Sequence, residues 1–386
     1  MYINLKKSLL LYRWQILIIS IWSIVQCYLY FTYGINLSFE AEKYIRQSDV
    51  LIEFGKVESN NFWFYSLEIF LISGFKLLGI SIEYVVIIHL LISAIAVLFF
   101  YAICRSFTTL TTALICTLAF ICNTPFFLFN FSLQSDSLYF NLLIIVTGLL
   151  LLGKKISNHC PVYLIISLVL LFISRPSSIN LLIPLMLFFA FRQRRLNALR
   201  VGGVVLTGGL LYALIAFNIM STGGGLSLGA PFEYQMIICG VSRINIPYTE
   251  QSPTFINTGY ELFSFIFNNP VFFIKLSFLK SISFWGLSRS YYGFGHNILL
   301  GVLFYPFIVM AILSIKTWRY WHLRFLIFSL SFILITWLVV LFSCDDWHNR
   351  FFLGISPFLF LLSLPAINQC VFYLRSLSIF KSSSPS

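Results

Sequence analysis

Charge is what this sequence has least of. Asp, Glu, Lys and Arg make up 10% of its 386 residues, against 59% hydrophobic, and the mean hydropathy is +0.91. A soluble domain carries about 25% charged residues, so a water-facing surface over most of the chain is excluded. The composition predicts an all-α polytopic membrane protein, one integral domain spanning 1–386. Also missing are a glycine-rich phosphate loop, a dinucleotide-binding pattern, a spaced Asp-x-Asp, any 20–50-residue repeat and a heptad pattern. The basic start MYINLKKSLLLYRWQ leads into an apolar run that ends in CYLYFTYG, without a small-x-small cleavage site; it reads as an uncleaved first span. Eight cysteines are scattered, mostly inside apolar runs, with no CxxC or Cys/His metal spacing. They are expected to be small packing residues, and a disulfide is not expected.

The net charge of +12 would suggest nucleic acid only if the positive residues shared a surface with one another and with water. Placing them along the chain excludes that. About ten apolar runs approach the roughly 20 residues that a span requires: 14–33, 83–104, 107–128, 137–152, 160–174, 177–191, 201–219, 297–315, 325–343 and 351–373. With the N-terminus in the cytoplasm, one side of the membrane collects 15 of the 25 basic residues and no acid, whereas the other holds the remaining basic residues and all 13 acids. Short, purely basic loops such as GKK and RQRR mark the cytoplasmic side, which also receives the C-terminal tail 376–386. The stretch 62–80, FWFYSLEIFLISGFKLLGI, is apolar enough to span. Counting it would send GKK and RQRR outside, so it is expected to be an interfacial or re-entrant helix carrying Glu68 and Lys76. Two extracytoplasmic regions are then large, 34–82 and 220–296. In the second, Asn269 and Pro270 predict the start of a helix along the outer surface.

The ionisable residues at span ends gather on the outer leaflet. Asp136 opens one span in LQSDSLYF, and Arg175 stands at the hinge ISRPSS. Asp345, Asp346, His348 and Arg350 crowd the short CDDWHNRFF between the last two spans. An ionised side chain at the centre of a bilayer costs about 2.5–3.5 kcal/mol on insertion scales, so several on one leaflet predict a polar cavity opening outward. After the first span comes LSFEAEKYI. If it is helical, Glu40 and Tyr44 share a face, and Glu42 faces Arg46. A carboxylate held ionised at a helix start beside such a cavity can act as a general base or hold a divalent cation.

The order of these features resembles the GT-C class of membrane glycosyltransferases, which use dolichyl- and undecaprenyl-phosphate sugars. Four stretches carry the resemblance: Glu40 four residues before Tyr44 after the first span, NTPFFLFNFSLQSDSLYFNLL, ISRPSSINLLIPL and RFFLGISPFLFLL. KLSFLKSISFWGLSRSYYGFGHN also resembles the segment that precedes the family's late spans, and together they cover about 1–365. The family's usual first-loop acid is Asp; here it is Glu40, with Glu42 as the alternative.

The resemblance implies a sugar donor linked to a polyprenyl phosphate and a glycan or lipid-linked acceptor, joined on the extracytoplasmic face of a bacterial inner membrane. Cell-surface polysaccharide, O-antigen above all, is the expected product. Glu40 would take the acceptor's proton. Arg350, Arg175, Lys280, Arg289 and His296 would meet the donor phosphate, with Tyr44 and Asp136 as further substrate contacts. Asp345, Asp346 and His348 would support them. Trp63, Trp285, Tyr291 and Tyr292 are candidates for stacking on sugar rings. No cofactor is certain: a divalent cation fits the acids but is not required, and nucleic acid is not a partner. An O-antigen polymerase or ligase would share the span count and an arginine-bearing outer loop. A lipid-linked sugar flippase would show inverted repeats and mid-span charges, which this sequence lacks.

Overall fold

The computed structural model of the protein describes residues 2–156, 160–191, 203, 207–211, 214, 229–240, 246–247, 256 and 259–382. Its α-helices are α1 (Tyr2–Tyr33), α2 (Glu40–Phe54), α3 (Ser66–Leu77), α4 (Val85–Phe107), α5 (Leu110–Ile121), α6 (Thr124–Leu128), α7 (Ser135–Ile156) and α8 (Cys160–Phe172). There follow α9 (Leu182–Ala190), α10 (Ala230–Glu233), α11 (Gly259–Asn268), α12 (Pro270–Gly286), α13 (Phe294–Trp321), α14 (Leu323–Phe342), α15 (Arg350–Leu362) and α16 (Leu364–Ser382). Short 3-10 turns occupy Asn60–Tyr65, Phe129–Phe131 and Pro176–Leu181. No strand occurs among the described residues; two isolated parallel bridges join Asn36 to Ser132 and Ile238 to Asp345. Helix is the expected outcome for apolar runs in lipid, because it pairs each backbone group within its own segment.

Five helices are long and apolar enough to cross a membrane, or eight if each of three bent pairs counts as one span. Ten spans are therefore not reached among the described residues. The runs 14–33, 83–104, 137–152, 297–315 and 325–343 fall in continuous helices. The runs 107–128 and 351–373 are each broken, by bends of 54° and 43°. The runs 160–174 and 177–191 are short helices, Cys160–Phe172 and Pro176–Ala190. The run 201–219 lies mostly outside the described residues, as does much of 220–256.

The breaks have local causes. At the first, Asn123 accepts the Phe126 N–H at 3.3 Å and caps a new helix, and Pro125 suits its first turn. At the second, the Trp318 indole donates to the Leu362 carbonyl at 2.7 Å, satisfying an oxygen that the helix end releases.

Residues 62–80 form the expected short element rather than a span: a 3-10 turn, then the 12 residues of α3. Its environment differs from an interfacial helix, because Glu68 has no exposed surface. The helix expected at 270–285 is α12, with Pro270 in its first turn. It bends by 101° from α11, as a broken span or re-entrant pair would. Asn269 does not cap it by its side chain, which donates to the Phe265 carbonyl instead. The C-terminal helix continues through Ser382.

One expectation is overturned outright: Cys239 and Cys344 form a disulfide across 105 residues. The other six cysteines are free. The two that pair are those that charge placement puts in outer loops, whereas the free ones lie in or at the ends of apolar runs.

Candidate functional site

Three arginines and three aspartates meet at one end of the bundle. Asp136 sits in the first turn of α7, where the helix dipole favours a carboxylate. It is fully buried and pairs with Arg175 and, at 3.3 Å, with Arg350. Arg350 grips Asp346 with both ends of its fork, Nε to Oδ1 at 2.6 Å and Nη2 to Oδ2 at 2.7 Å. Beside them Arg289 donates to Asp345 at 2.6 Å, and the Ser283 hydroxyl donates to the same oxygen at 3.0 Å. The six formal charges cancel, which is the condition for keeping them out of water.

Local backbone explains the convergence. Arg175 precedes Pro176 and is extended, with φ −163° and ψ 144°, the region a pre-proline residue favours. Arg350 begins α15 directly after Asn349, which takes a left-handed conformation (φ 54°) that Asn tolerates. Asp346 folds its own loop by accepting the His348 N–H at 3.1 Å.

That loop is fixed from outside as well. The disulfide joins Cys344 to Cys239. Cys239 N–H donates to the Asp345 carbonyl and Asp345 N–H to the Ile237 carbonyl, both at 2.8 Å. The Trp347 indole donates to the Cys239 carbonyl, and the hydroxyls of Tyr291 and Tyr292 donate to the Trp347 carbonyl at 2.6 and 2.9 Å. His296 packs on Tyr292, ring centroids 4.3 Å apart. Lys280 is buried and donates to the carbonyls of Leu341 and Ser343, closing the end of α14. It sits over the Phe232 ring and makes no ion pair with Asp345 or Asp346.

The first loop reaches the same place. Residues 40–54 are helical as expected, and α2 ends at Gly55, whose φ of 67° suits the left-handed turn. Glu40 pairs with Lys43, whose ammonium lies over the rings of Tyr44 and Tyr65, 5.2 and 5.4 Å from their centroids. Glu40 also acts electrostatically on Arg350. Glu42 instead turns back to accept the Phe39 N–H at 3.3 Å. Arg46 pairs with Glu58, not with Glu42. The Tyr44 hydroxyl meets Ser135 at 3.2 Å, next to Asp136.

Burial holds the Tyr44 and Tyr65 hydroxyls above their usual range despite nearby Arg175, so both remain donors. Burial, then the charge of Arg350, lowers Arg175. Burial pushes the Asp345 carboxyl up and Arg289 opposes it. Burial acts the same way on Asp346, but Arg350 and Arg175 outweigh it and hold that carboxyl below its ordinary value. His348 is lowered, chiefly by burial, and is neutral at pH 7.

A narrow cleft, with room for about one water molecule, lies beside Arg175 and Arg350. Tyr139, Ser177, Phe332, Thr336, Phe351 and Gly354 complete its wall. The Ser177 and Thr336 hydroxyls are buried with no hydrogen-bond partner, and such groups call for an explanation.

The structure thus gathers Glu40, Tyr44, Asp136, Arg175, Arg289, Asp345, Asp346, His348 and Arg350. Lys280 and His296 stand behind the loop, and Glu42 faces the start of its own helix. Lys43, Tyr65, Ser135, Ser177, Ser283 and Thr336 join the site without a sequence signal, being common residue types inside ordinary runs. No cluster of three or more His, Cys, Asp and Glu suited to a metal occurs among the described residues. The chain matches no protein-family profile, no curated protein and no solved structure.

Proposed function

We propose that the protein is a membrane glycosyltransferase that moves a sugar from a polyprenyl phosphate to a glycan or glycolipid acceptor at the extracytoplasmic face. The observation that carries this reading is the pair Arg175 and Arg350 at a narrow cleft whose Ser177 and Thr336 hydroxyls have no partner. Two guanidinium groups beside free hydroxyls suit an anionic head group. The phosphate would compete with Asp136 and Asp346 for the guanidinium donors of Arg175 and Arg350. Glu40 would take the proton of the acceptor hydroxyl as its oxygen bonds to the anomeric carbon. The bond from that carbon to the phosphate oxygen then breaks, and the polyprenyl phosphate leaves with the electron pair, its charge met by the arginines. The disulfide supports the assignment of this end to an oxidising, extracytoplasmic compartment. The sequence likeness to GT-C enzymes supports the donor class, and bacterial cell-surface polysaccharide is the acceptor class we favour.

The test is direct. Purified protein in liposomes is incubated with a panel of polyprenyl-phosphate sugars and candidate glycan acceptors, and loss of the lipid donor is followed. Acceptor-dependent consumption of one donor is expected, with Glu40→Gln slower by about 10²–10⁴-fold. No consumption of any donor, together with their transbilayer movement, would instead establish a flippase. Transfer of preassembled chains, with no use of monosaccharide donors, would establish a polymerase or ligase.

A further inference from the structure

Glu68 and His89 are the buried ionisable pair that the site above does not use. Both have no exposed surface. Glu68 Oε2 lies 3.0 Å from His89 Nε2, and His89 Nδ1 lies 3.3 Å from the Asn130 carbonyl. A carbonyl only accepts, so Nδ1 carries a proton. A second proton sits between Nε2 and Oε2. Whichever atom holds it, the pair is net neutral, which is how it is tolerated among apolar helices.

The pair closes a ring of contacts. Asn130 donates from its side chain to Gln26 on α1 at 3.0 Å and to Ser93 on α4 at 3.1 Å. Its side-chain oxygen accepts from Ser137 at 2.8 Å and Asn141 at 3.2 Å, both on α7. On the other side of Glu68, α3 holds α2: Ser73 donates to the Ser48 carbonyl at 3.4 Å, and Lys76 to the Ile45 carbonyl at 3.0 Å. Helix α2 returns to α7 through Tyr44 and Ser135. The ring therefore runs α2, α3, α4, the Phe129–Phe131 turn, α7 and back to α2. It passes through both the helix that bears Glu40 and the helix turn that bears Asp136, joined directly by Tyr44 and Ser135.

We propose that Glu68 and His89 are positioning residues: their shared proton locks α3 to α4 and so sets where the Glu40 helix stands relative to Asp136 and its arginines. The kinetic consequence rests on the transferase reading; the geometric one does not. The probe is the pair of variants Glu68→Leu/His89→Leu and Glu68→Gln. The double leucine variant replaces a buried polar pair by apolar side chains, an exchange that is often neutral or stabilising. It should insert and melt only modestly below wild type, since the Asn130 carbonyl loses its donor, yet lose about tenfold or more in kcat with little change in donor KM. In Glu68→Gln the new amide can donate to His89 Nε2 and keep the geometry without the shared charge, so this variant should retain most of kcat.

Position is read separately by pulsed EPR between spin labels on Glu53→Cys, exposed at the end of α2, and Ser290→Cys, exposed beside Arg289. The background replaces the exposed free cysteines Cys27, Cys122 and Cys370 by serine. The distance distribution should be narrow in the otherwise wild-type protein and in Glu68→Gln, and broad or shifted in the double leucine variant. A double leucine variant with wild-type kcat and an unchanged distribution overturns the proposal. Should that variant not accumulate, Glu68→Ala is read by the same two measures: a fall in kcat with a broadened distribution supports the clamp, and wild-type values of both overturn it. If wild type turns over no lipid donor, the transferase reading fails, while the distance measurement still decides the clamp.

Discussion

Arg350 has more to do than any other side chain in the cluster. It pairs with Asp136 and Asp346 at once and lines the cleft with Arg175. Arg350→Ala would leave two buried carboxylates short of a partner, a defect of about 3–5 kcal/mol when a buried pair is broken. Loss of folding would then mask any effect on the donor. Arg350→Lys is the sharper probe, because it keeps the charge but cannot form a fork. A hydrogen bond to a charged group is worth about 1.5–3 kcal/mol, so this variant should lower kcat/KM for the lipid donor by about 10–100-fold. Steady-state kinetics across donor concentrations, with expression and melting temperature as controls, checks it. Wild-type kcat/KM would move the phosphate to Arg175 alone. Asp136, Arg175 and Arg350 were legible in the sequence because ionisable residues at the ends of apolar runs stand out in so uncharged a chain. Tyr65 and Lys43 were not, since one more aromatic in FWFYSLE and one more lysine in a polar helix carry no mark of what they touch.

Among the elements, the loop between α14 and α15 shows most clearly how tertiary contact overrides local reading. Its two aspartates are adjacent in sequence, yet burial and partners drive them in opposite directions: Asp345 is raised and Asp346 lowered from an ordinary value of 3.8. The signs give opposite pH behaviour. Asp346, lowered in the folded state, adds stability that is present above about pH 4 and lost as pH falls through its folded value. Asp345, raised when folded, works against stability as pH rises through its range. Thermal melts in detergent from pH 7 to pH 3 should therefore show a shallower acid loss for Asp346→Asn than for wild type, and a steeper one for Asp345→Asn. Identical slopes for both variants would contradict the pairing. Elsewhere the apolar periods located the long helices, and they failed where a helix is broken. The bends after Ile121 and Leu362 depend on an Asn cap and on an indole from α13, and the second of these is a contact between distant residues. Helix α3 was read as interfacial or re-entrant because a span there would have sent GKK and RQRR outside. The partner that buries Glu68 is His89, on the next helix and 21 residues on, a pairing no local pattern reveals.

For the molecule as a whole, the asymmetry that matters is the one expected from charge placement, with no acid on one side of the membrane. That placement puts the disulfide partners, expected to be unpaired, on the acid-bearing side together with Glu40, Asp136 and Arg350. This yields a test of orientation independent of any substrate. In intact cells stripped of their outer barrier, a membrane-impermeant maleimide should leave Cys239 and Cys344 unlabelled until a mild reductant is added, and should then label both. Labelling only after the membrane is opened would place the cluster on the inner side.

The disulfide also orders the protein's biosynthesis. A ribosome reaches Cys344 only 105 residues after Cys239, so the earlier thiol waits while α11 to α14 are made. Asp345, Asp346 and Arg350 follow directly on Cys344. A chain stalled before that point has Asp136, Arg175 and Arg289 but lacks Asp345, Asp346, Arg350 and the covalent tie that fixes their loop. The charged cluster is thus complete only once α15 has been made, and copies that stop before it carry an unfinished site.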